Sequence, residues 1–320
     1  MSGRYRVLSM WDPDVAPGMY DVLDGIAEVD IREPDHDWLL AHVHEYDAYL
    51  ATLKVRFDRD VIERAAAGRM KIVYTSSTGL DHLDLDALKE FGIEMRCIET
   101  EFELLDRVTA TAELAFALML AAARKIPAAH EAAMRGHWAR DVYRGQQLSG
   151  KTLGVLGVGR LGRMMVEFGR GFRMNVIGCD PDPARAIDDL EYLPYREFAG
   201  RADVISIHIH LTPENEHFLN TERLSLMKDG VILVNTSRGR IIDETALLEA
   251  LASGKVGGFG ADVIDGEWRD DLLQHPLIAY ARAHDNVVIV PHIGGVTIES
   301  QTMAQGLVVE RLAEYLNALV

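Results

Sequence analysis

Short apolar runs alternate with longer amphipathic stretches along the whole chain, the signature of a parallel α/β architecture. In the first hundred residues the runs are YRVLS (5–9), AEVDI (27–31), AYLATL (48–53), KIVYT (71–75) and IEMRC (93–97). Helical periodicity fills DVIERAAAGR (60–69) and DLDALKEFG (84–92) between them. From Val108 a long helical pattern begins, and Pro127 falls inside it, where the ring should kink or interrupt the helix. Six more apolar runs follow: KTLGVLG (151–157), MNVIGC (174–179), DVISIHI (203–209), VILVN (231–235), GGFGADV (257–263) and NVVIVP (286–291). Six strands separated by helices make a complete doubly wound dinucleotide domain. The stretch from Glu299 to Val320 returns to helical spacing.

At 320 residues the chain exceeds the roughly 250–300 that one hydrophobic core usually holds, so two domains are expected. No repeat, low-complexity tract or Pro/Gly-rich linker marks a boundary, which leaves the junctions along segments near 100–110 and 293–298. Acidic residues outnumber basic ones 50 to 33, a formal net charge of −17. That balance argues against nucleic acid or an anionic membrane as partner, since both select a basic face. The two cysteines, Cys97 and Cys179, lack metal-ligand spacing, and no metal site is expected. The N-terminal MSGRYRVLSMWDPD has no long apolar core of a signal peptide. LAFALMLAAA (114–123) is shorter than the about 20 residues a membrane span needs. A cytoplasmic protein is expected.

The first chemistry is a phosphate cradle. TLGVLGVGRLG sets Gly157, Gly159 and Gly162 as G-x-G-x-x-G directly after a strand and before a helix. Gly157 allows the tight turn, Gly159 admits a pyrophosphate close to the backbone, and Gly162 permits tight helix–strand packing. The amides of Arg160 and Leu161 then face the phosphates at a helix N-terminus, where the dipole favours an anion. Asp180 ends the next strand, 18 residues past Gly162, where a carboxylate accepts from a ribose diol and repels a 2′-phosphate. NAD is therefore expected as cofactor, rather than NADP.

Three later strand ends deliver polar groups to the edge where doubly wound sheets bind ligands. Arg238 follows VILVN, Glu267 lies in ADVIDGE and His292 in PHIGG. The planar fork of Arg238 can grip a carboxylate and its adjacent carbonyl oxygen. His292 can give or take a proton as carbonyl and alcohol interconvert, while Glu267 orients its ring and favours its charged form.

With these residues in view, the chain resembles the D-isomer-specific 2-hydroxyacid dehydrogenases, the family that includes D-3-phosphoglycerate and glyoxylate/hydroxypyruvate enzymes. The resemblance is carried by SSTGLDHLDLDALKEFGI (76–93), LSGKTLGVLGVGRLG, HLTPENEHFLN, MKDGVILVNTSRGRIIDETALLEAL, GADVIDGE and VPHIGGVT. It implies a Rossmann NAD-binding domain, residues 104–293, inserted into a discontinuous flavodoxin-like substrate domain, residues 1–103 and 294–320. It implies NAD-dependent interconversion of a small D-2-hydroxy acid and its 2-keto acid, with Arg238, Glu267 and His292 as the catalytic set. Backbone near Thr78 and Gly79 would hold the substrate carboxylate. Thr212, Thr236 and Asp262 would line the nicotinamide side, and Asp180 would hold the adenosine ribose. The family also implies a homodimer through the NAD-binding domains, with the helix from about 109 contributing.

The sequence departs from the family pattern at Trp268, where proline is usual, at His210 before LTP, in the acidic ETEFELLDRV (99–108), and in YARAHD (280–285). Lys54 and Arg56, in LKVRFDRD after the third strand, are candidates to meet a second anionic group on the substrate. Two other readings stay open: a formate- or phosphite-type dehydrogenase of the same fold, against whose formate branch Glu267 speaks, and an NAD-sensing scaffold without catalysis.

Overall fold

The structure, a computed structural model, describes residues 5–182, 186–269 and 271–319, so the end of the expected last helix at Val320 lies outside the described residues. The chain divides into two compact units, Met1–Val108 with Val296–Val320, and Thr109–Gly295. These boundaries fall a few residues beyond those expected from the sequence, at 108/109 and 295/296 rather than 103/104 and 293/294.

In the first unit, the strands are β1 (Tyr5–Ser9), β2 (Ala27–Ile31), β3 (Ala48–Ala51), β4 (Ile72–Thr75) and β5 (Glu94–Arg96). They form one sheet in the order β2-β1-β3-β4-β5, with every pairing parallel. Three short helices start where an aspartate caps them: Asp35 accepts from the Trp38 amide, Asp58 from Val61 and Asp84 from Ala87. The helix Ile298–Ala318 lies on one face of the sheet. Ala304, Val308, Leu312 and Leu316 recur every four residues on one stripe, and they pack with Val7, Leu50 and Ile72 of the strands.

The second unit contains β6 (Thr152–Leu156), β7 (Asn175–Cys179), β8 (Glu191–Tyr192), β9 (Val204–Ile207), β10 (Val231–Asn235), β11 (Val256–Ala261) and β12 (Val287–Ile289). Seven strands stand where six apolar runs were visible. The unforeseen one, β8, is two residues long and has no apolar run to announce it. The order is β12-β11-β10-β9-β6-β7-β8, all parallel, so the direction of winding switches between β6 and β9. Leu156 pairs with Ile207, Ile207 with Asn235, Asn235 with Ala261, and Ala261 with Ile289. That register aligns the carboxyl ends of five strands along one edge.

The helical stretch after Val108 is interrupted as expected. One helix covers Ala110–Arg124 and the next Ile126–Met134, with Lys125 between them in a left-handed conformation, φ 52°. Pro127 has no amide to offer the Ala123 carbonyl, and its ring would collide with that oxygen in a continuous helix. The Ala123 carbonyl accepts instead from the Gln146 amide, at 2.8 Å. No helix among the described residues is long and apolar enough to cross a membrane.

Candidate active site

The glycine turn sits at the switch point after β6. Gly157 has φ 89°, and a Cβ there would lie 2.8 Å from the backbone of His208. A Cβ on Gly162 would lie 2.1 Å from the Gly157 carbonyl oxygen. Only glycine suits either place. The helix Arg160–Gly171 begins at Gly159 with no side-chain cap, so its dipole and the amides of its first turn, including that of Leu161, face the turn. Asp180, at the end of β7, accepts from the Val158 amide at 2.7 Å and from the Asp182 amide at 2.9 Å. It thus ties the glycine turn to the next strand as well as offering a carboxylate at the expected place.

One residue beyond the aligned strand ends stand His208, Thr236 and Asp262. Thr236 is buried, and its Oγ1 has no hydrogen-bond partner among the described residues. An unsatisfied hydroxyl of this kind fits a bound polar group. With the glycine cradle and the Asp180 carboxylate, it gives the edge the features a dinucleotide needs. The Thr212 hydroxyl is engaged with the Glu214 carboxylate and holds its pKa below the usual range, while the Thr212 carbonyl accepts from the amides of Asn215 and Glu216. Sequence reasoning missed His208. Its Nε2 lies 2.7 Å from Ser206 Oγ, its Nδ1 is buried with no partner among the described residues, and burial pushes its pKa down to about 4. It is neutral at physiological pH.

The three residues expected to form the catalytic set come from the loops after β10, β11 and β12. Asn235 shapes the first: its Oδ1 accepts from the Ser237 amide at 3.0 Å and its Nδ2 donates to the Arg238 carbonyl at 2.9 Å. Ser237 Oγ donates to the Ile209 carbonyl, and an Arg238 guanidinium nitrogen donates to the Ser237 carbonyl at 2.7 Å. Glu267 and His292 meet, with His292 Nδ1 2.8 Å from Glu267 Oε1. A carboxylate only accepts, so Nδ1 carries the proton and Nε2 is left for exchange. Burial disfavours the imidazolium, but the hydrogen bond and charge of Glu267, joined by Asp262, overcome it and raise the His292 pKa. The charge of Arg238 opposes this, so all three groups act on one imidazole.

Asp262 does more than line this edge. It is 2 % exposed, and its two carboxylate oxygens accept from the amides of Ile293 and Gly294, at 2.6 and 2.8 Å. Burial raises its carboxyl above the usual carboxylate range despite those two bonds and the nearby His292. Trp268 and His210, the flanking departures, are both exposed.

The other expected residues belong to the first unit. Thr78 is exposed and Gly79 half-buried in the turn after β4, where Ser77 Oγ donates to the Gly79 carbonyl at 2.8 Å. Ser77 Oγ is in turn 2.9 Å from Thr75 Oγ1. Lys54 and Arg56 are exposed on either side of buried Val55.

Comparison with known proteins agrees with the motifs. The family model described as the D-isomer specific 2-hydroxyacid dehydrogenase, NAD binding domain, matches residues 116–294. The hydroxypyruvate reductase of Thermotoga maritima is 36% identical over 290 residues, which cover 91% of this chain and 91% of that protein. The D-3-phosphoglycerate dehydrogenase of Methanocaldococcus jannaschii is 35% identical over 306 residues, covering 92% of this chain and 55% of that protein. The chain thus spans about half the length of the phosphoglycerate dehydrogenases it matches. The apo-structure of D-lactate dehydrogenase from Escherichia coli superposes with a TM-score of 0.84 at 28% identity, over 98% of this chain and 97% of that one. The second unit is an NAD-binding domain, and the chain belongs to the D-isomer-specific 2-hydroxyacid dehydrogenase family.

Proposed function

We propose that this protein interconverts a small D-2-hydroxy acid and its 2-keto acid with NAD as redox partner. The 2.8 Å contact between His292 Nδ1 and Glu267 Oε1, on an imidazole that also feels Arg238, carries the reading. The nicotinamide, when bound, supplies or accepts the hydride. Arg238 holds the carboxylate and the reacting oxygen of the substrate with its fork of donors and polarises the carbonyl. Protonated His292 gives its Nε2 proton to the alkoxide as reduction proceeds and takes it back in oxidation. Glu267 fixes the ring and stabilises the imidazolium throughout. We assign the exposed Lys54 and Arg56 to a second anionic group on the substrate, and the turn at Thr78 and Gly79 to its carboxylate. Thr212 and Thr236 are assigned to the nicotinamide side.

The test is NADH consumption with glyoxylate, hydroxypyruvate, pyruvate, phenylpyruvate, phosphohydroxypyruvate and phosphonopyruvate. Turnover of at least one supports the reading. Tight NADH binding with no turnover of any, or NAD reduction by formate or phosphite alone, overturns it. A KM for the phosphorylated or phosphonate substrates that Lys54→Ala and Arg56→Ala leave unchanged removes the second-anion assignment.

We propose in addition that the protein is a homodimer through its NAD-binding unit. Met134, Trp138 and Val142 are 70%, 84% and 61% exposed within nine residues of one another. Arg140 and Arg144, close to them in the chain, line a cleft of about 590 Å³ together with Arg124 and Phe172. Large apolar side chains left this exposed, in a segment rich in arginine, fit a partner surface. Light scattering should give twice the chain mass, and Trp138→Glu should give the chain mass; a wild-type monomer contradicts the assignment.

A further inference from the structure

The backbone of Ile264 and Asp265, just before Glu267, is held by residues that no step of the chemistry uses. The Asp265 amide donates to Glu244 Oε1 at 2.8 Å. The Asp265 carbonyl lies 2.8 Å from His275 Nε2, which is also 3.3 Å from Glu244 Oε2. His275 Nδ1 accepts from the Leu277 amide at 3.2 Å as the N-cap of the helix Pro276–Ala283. Nδ1 therefore keeps its lone pair, the ring proton sits on Nε2, and Nε2 donates to the Asp265 carbonyl. The same backbone is closely approached by Gly239, next to Arg238. A Cβ on Gly239 would lie 2.1 Å from the Ile264 carbonyl carbon and 2.3 Å from the Asp265 nitrogen.

Helix capping alone does not explain this arrangement. Asparagine, serine or aspartate would cap Pro276–Ala283 as well as histidine does, and none needs a second contact. His275 is 2 % exposed, and burial raises the carboxyl of Glu244 above its usual range. Withdrawing a carboxylate and an imidazole from water is costly unless their bonds return the cost, and these bonds converge on Asp265.

We propose that Glu244 and His275 form a clamp that positions the Asp262–Glu267 loop, so that Glu267 reaches His292 and Arg238 rests at a set distance from both. The proposal rests on the reading of His292 and Glu267 as the acid–base pair. Both are positioning residues: they hold the backbone that holds Glu267. Gly239 extends the same control to the arginine, whose turn is seated on the clamped peptide.

Two substitutions separate the clamp from the cap. His275→Asn keeps an oxygen for the Leu277 amide but has nothing at the Nε2 position. His275→Gln carries an amide nitrogen at that reach but gives up the cap. The charged groups facing His292 are Glu267, Asp262 and Arg238, and neither substitution touches them. The experiment measures kcat for the active keto acid, KM for NADH, and the titration midpoint of the His292 imidazole by NMR in each variant. His275→Asn should lower kcat by about 10- to 100-fold, the scale of a misplaced catalytic group, with KM for NADH unchanged. Its His292 midpoint should fall toward that of Glu267→Gln. His275→Gln should retain most of kcat and the wild-type midpoint while unfolding at lower temperature.

Wild-type kcat and midpoint in folded His275→Asn overturn the proposal. So does a loss of kcat in both variants that follows unfolding temperature while the midpoint stays fixed. If His275→Asn does not fold, Glu244→Ala carries the same expectations, and an unmoved His292 midpoint in it is equally fatal. The NMR midpoint needs no turnover. A wild type inactive on every keto acid, with a midpoint that still moves, defeats the functional reading and leaves the clamp standing.

Discussion

His292 stands in a left-handed backbone conformation, φ 52°, with its amide 2.9 Å from the carbonyl oxygen of Asp262. The next two amides, of Ile293 and Gly294, reach the carboxylate oxygens of the same aspartate at 2.6 and 2.8 Å. Three consecutive N–H groups thus converge on one buried residue, and this holds a non-glycine residue in a conformation that normally costs energy. Asp262→Asn keeps the shape but sets an NH₂ against one of the two amides. It should destabilise the protein by about 1–3 kcal/mol. It should also lower kcat more than KM, because the imbalance falls on the turn that aims His292. Denaturant unfolding and steady-state kinetics check both; unchanged stability would mean that the turn has another anchor.

Glu267 sets the pH range of His292. A histidine whose pKa is raised in the folded state stays protonated above its ordinary 6.5, and Glu267 is the main raising influence. In the proposed reaction keto-acid reduction uses that proton, so its kcat/KM should hold at low pH and fall as pH rises through a midpoint above the ordinary value. Oxidation uses the neutral ring and should show the mirror image. Glu267→Gln should shift the midpoint downward, since burial and the charge of Arg238 then act with less opposition. The folding stability linked to His292 has the same sign: it is fully present below the unfolded-state pKa and lost as pH rises through the folded-state one.

Arg238→Lys keeps the charge and discards the planar fork. kcat/KM for the keto acid should drop by at least about 100-fold, or about 2.7 kcal/mol of transition-state binding. The Kd for NADH should change little, because the phosphates are assigned to the glycine turn and not to Arg238. Fluorescence titration beside steady-state kinetics separates the two. A lysine variant close to wild type would assign carboxylate binding elsewhere.

Asp180 has one observed role and one proposed role, and a single substitution tests both. Its carboxylate anchors the Val158 amide of the glycine turn at 2.7 Å, and it stands where a ribose diol would be read. Asp180→Ala should weaken NADH binding and narrow the preference for NADH over NADPH by about tenfold or more, since a charge-assisted hydrogen bond and a repulsion are lost at once. An unchanged ratio of the two Kd values would leave Asp180 as a structural tie alone.

Much of the fold was legible because buried parallel strands write themselves as apolar runs. Eleven strands corresponded to visible runs, whereas Glu191–Tyr192 did not, since two residues pairing with the edge of β7 carry no periodicity. Gly157, Gly162 and Asp180 could be placed because their roles depend on spacing along a few consecutive elements. Arg238, Glu267 and His292 were visible as polar residues just past strand ends. The bonds that hold them were not. Asp262 and Ile293 are 31 residues apart, Ser237 and Ile209 are 28 apart, and Asp265 and Glu244 are 21 apart. Such partners are chosen by register between strands, and Glu244 in DETALLEAL looks like any helical glutamate until the sheet is assembled.

The break at Lys125 has a consequence beyond the shape of one helix. The Ala123 oxygen that Pro127 leaves unserved is occupied by Gln146, a residue from the far end of the segment that follows. An alanine at 127 would restore an amide at the helical position, and the Ala123 oxygen, which can accept twice, would then be shared with Gln146. The imino acid leaves that oxygen to the return strap alone.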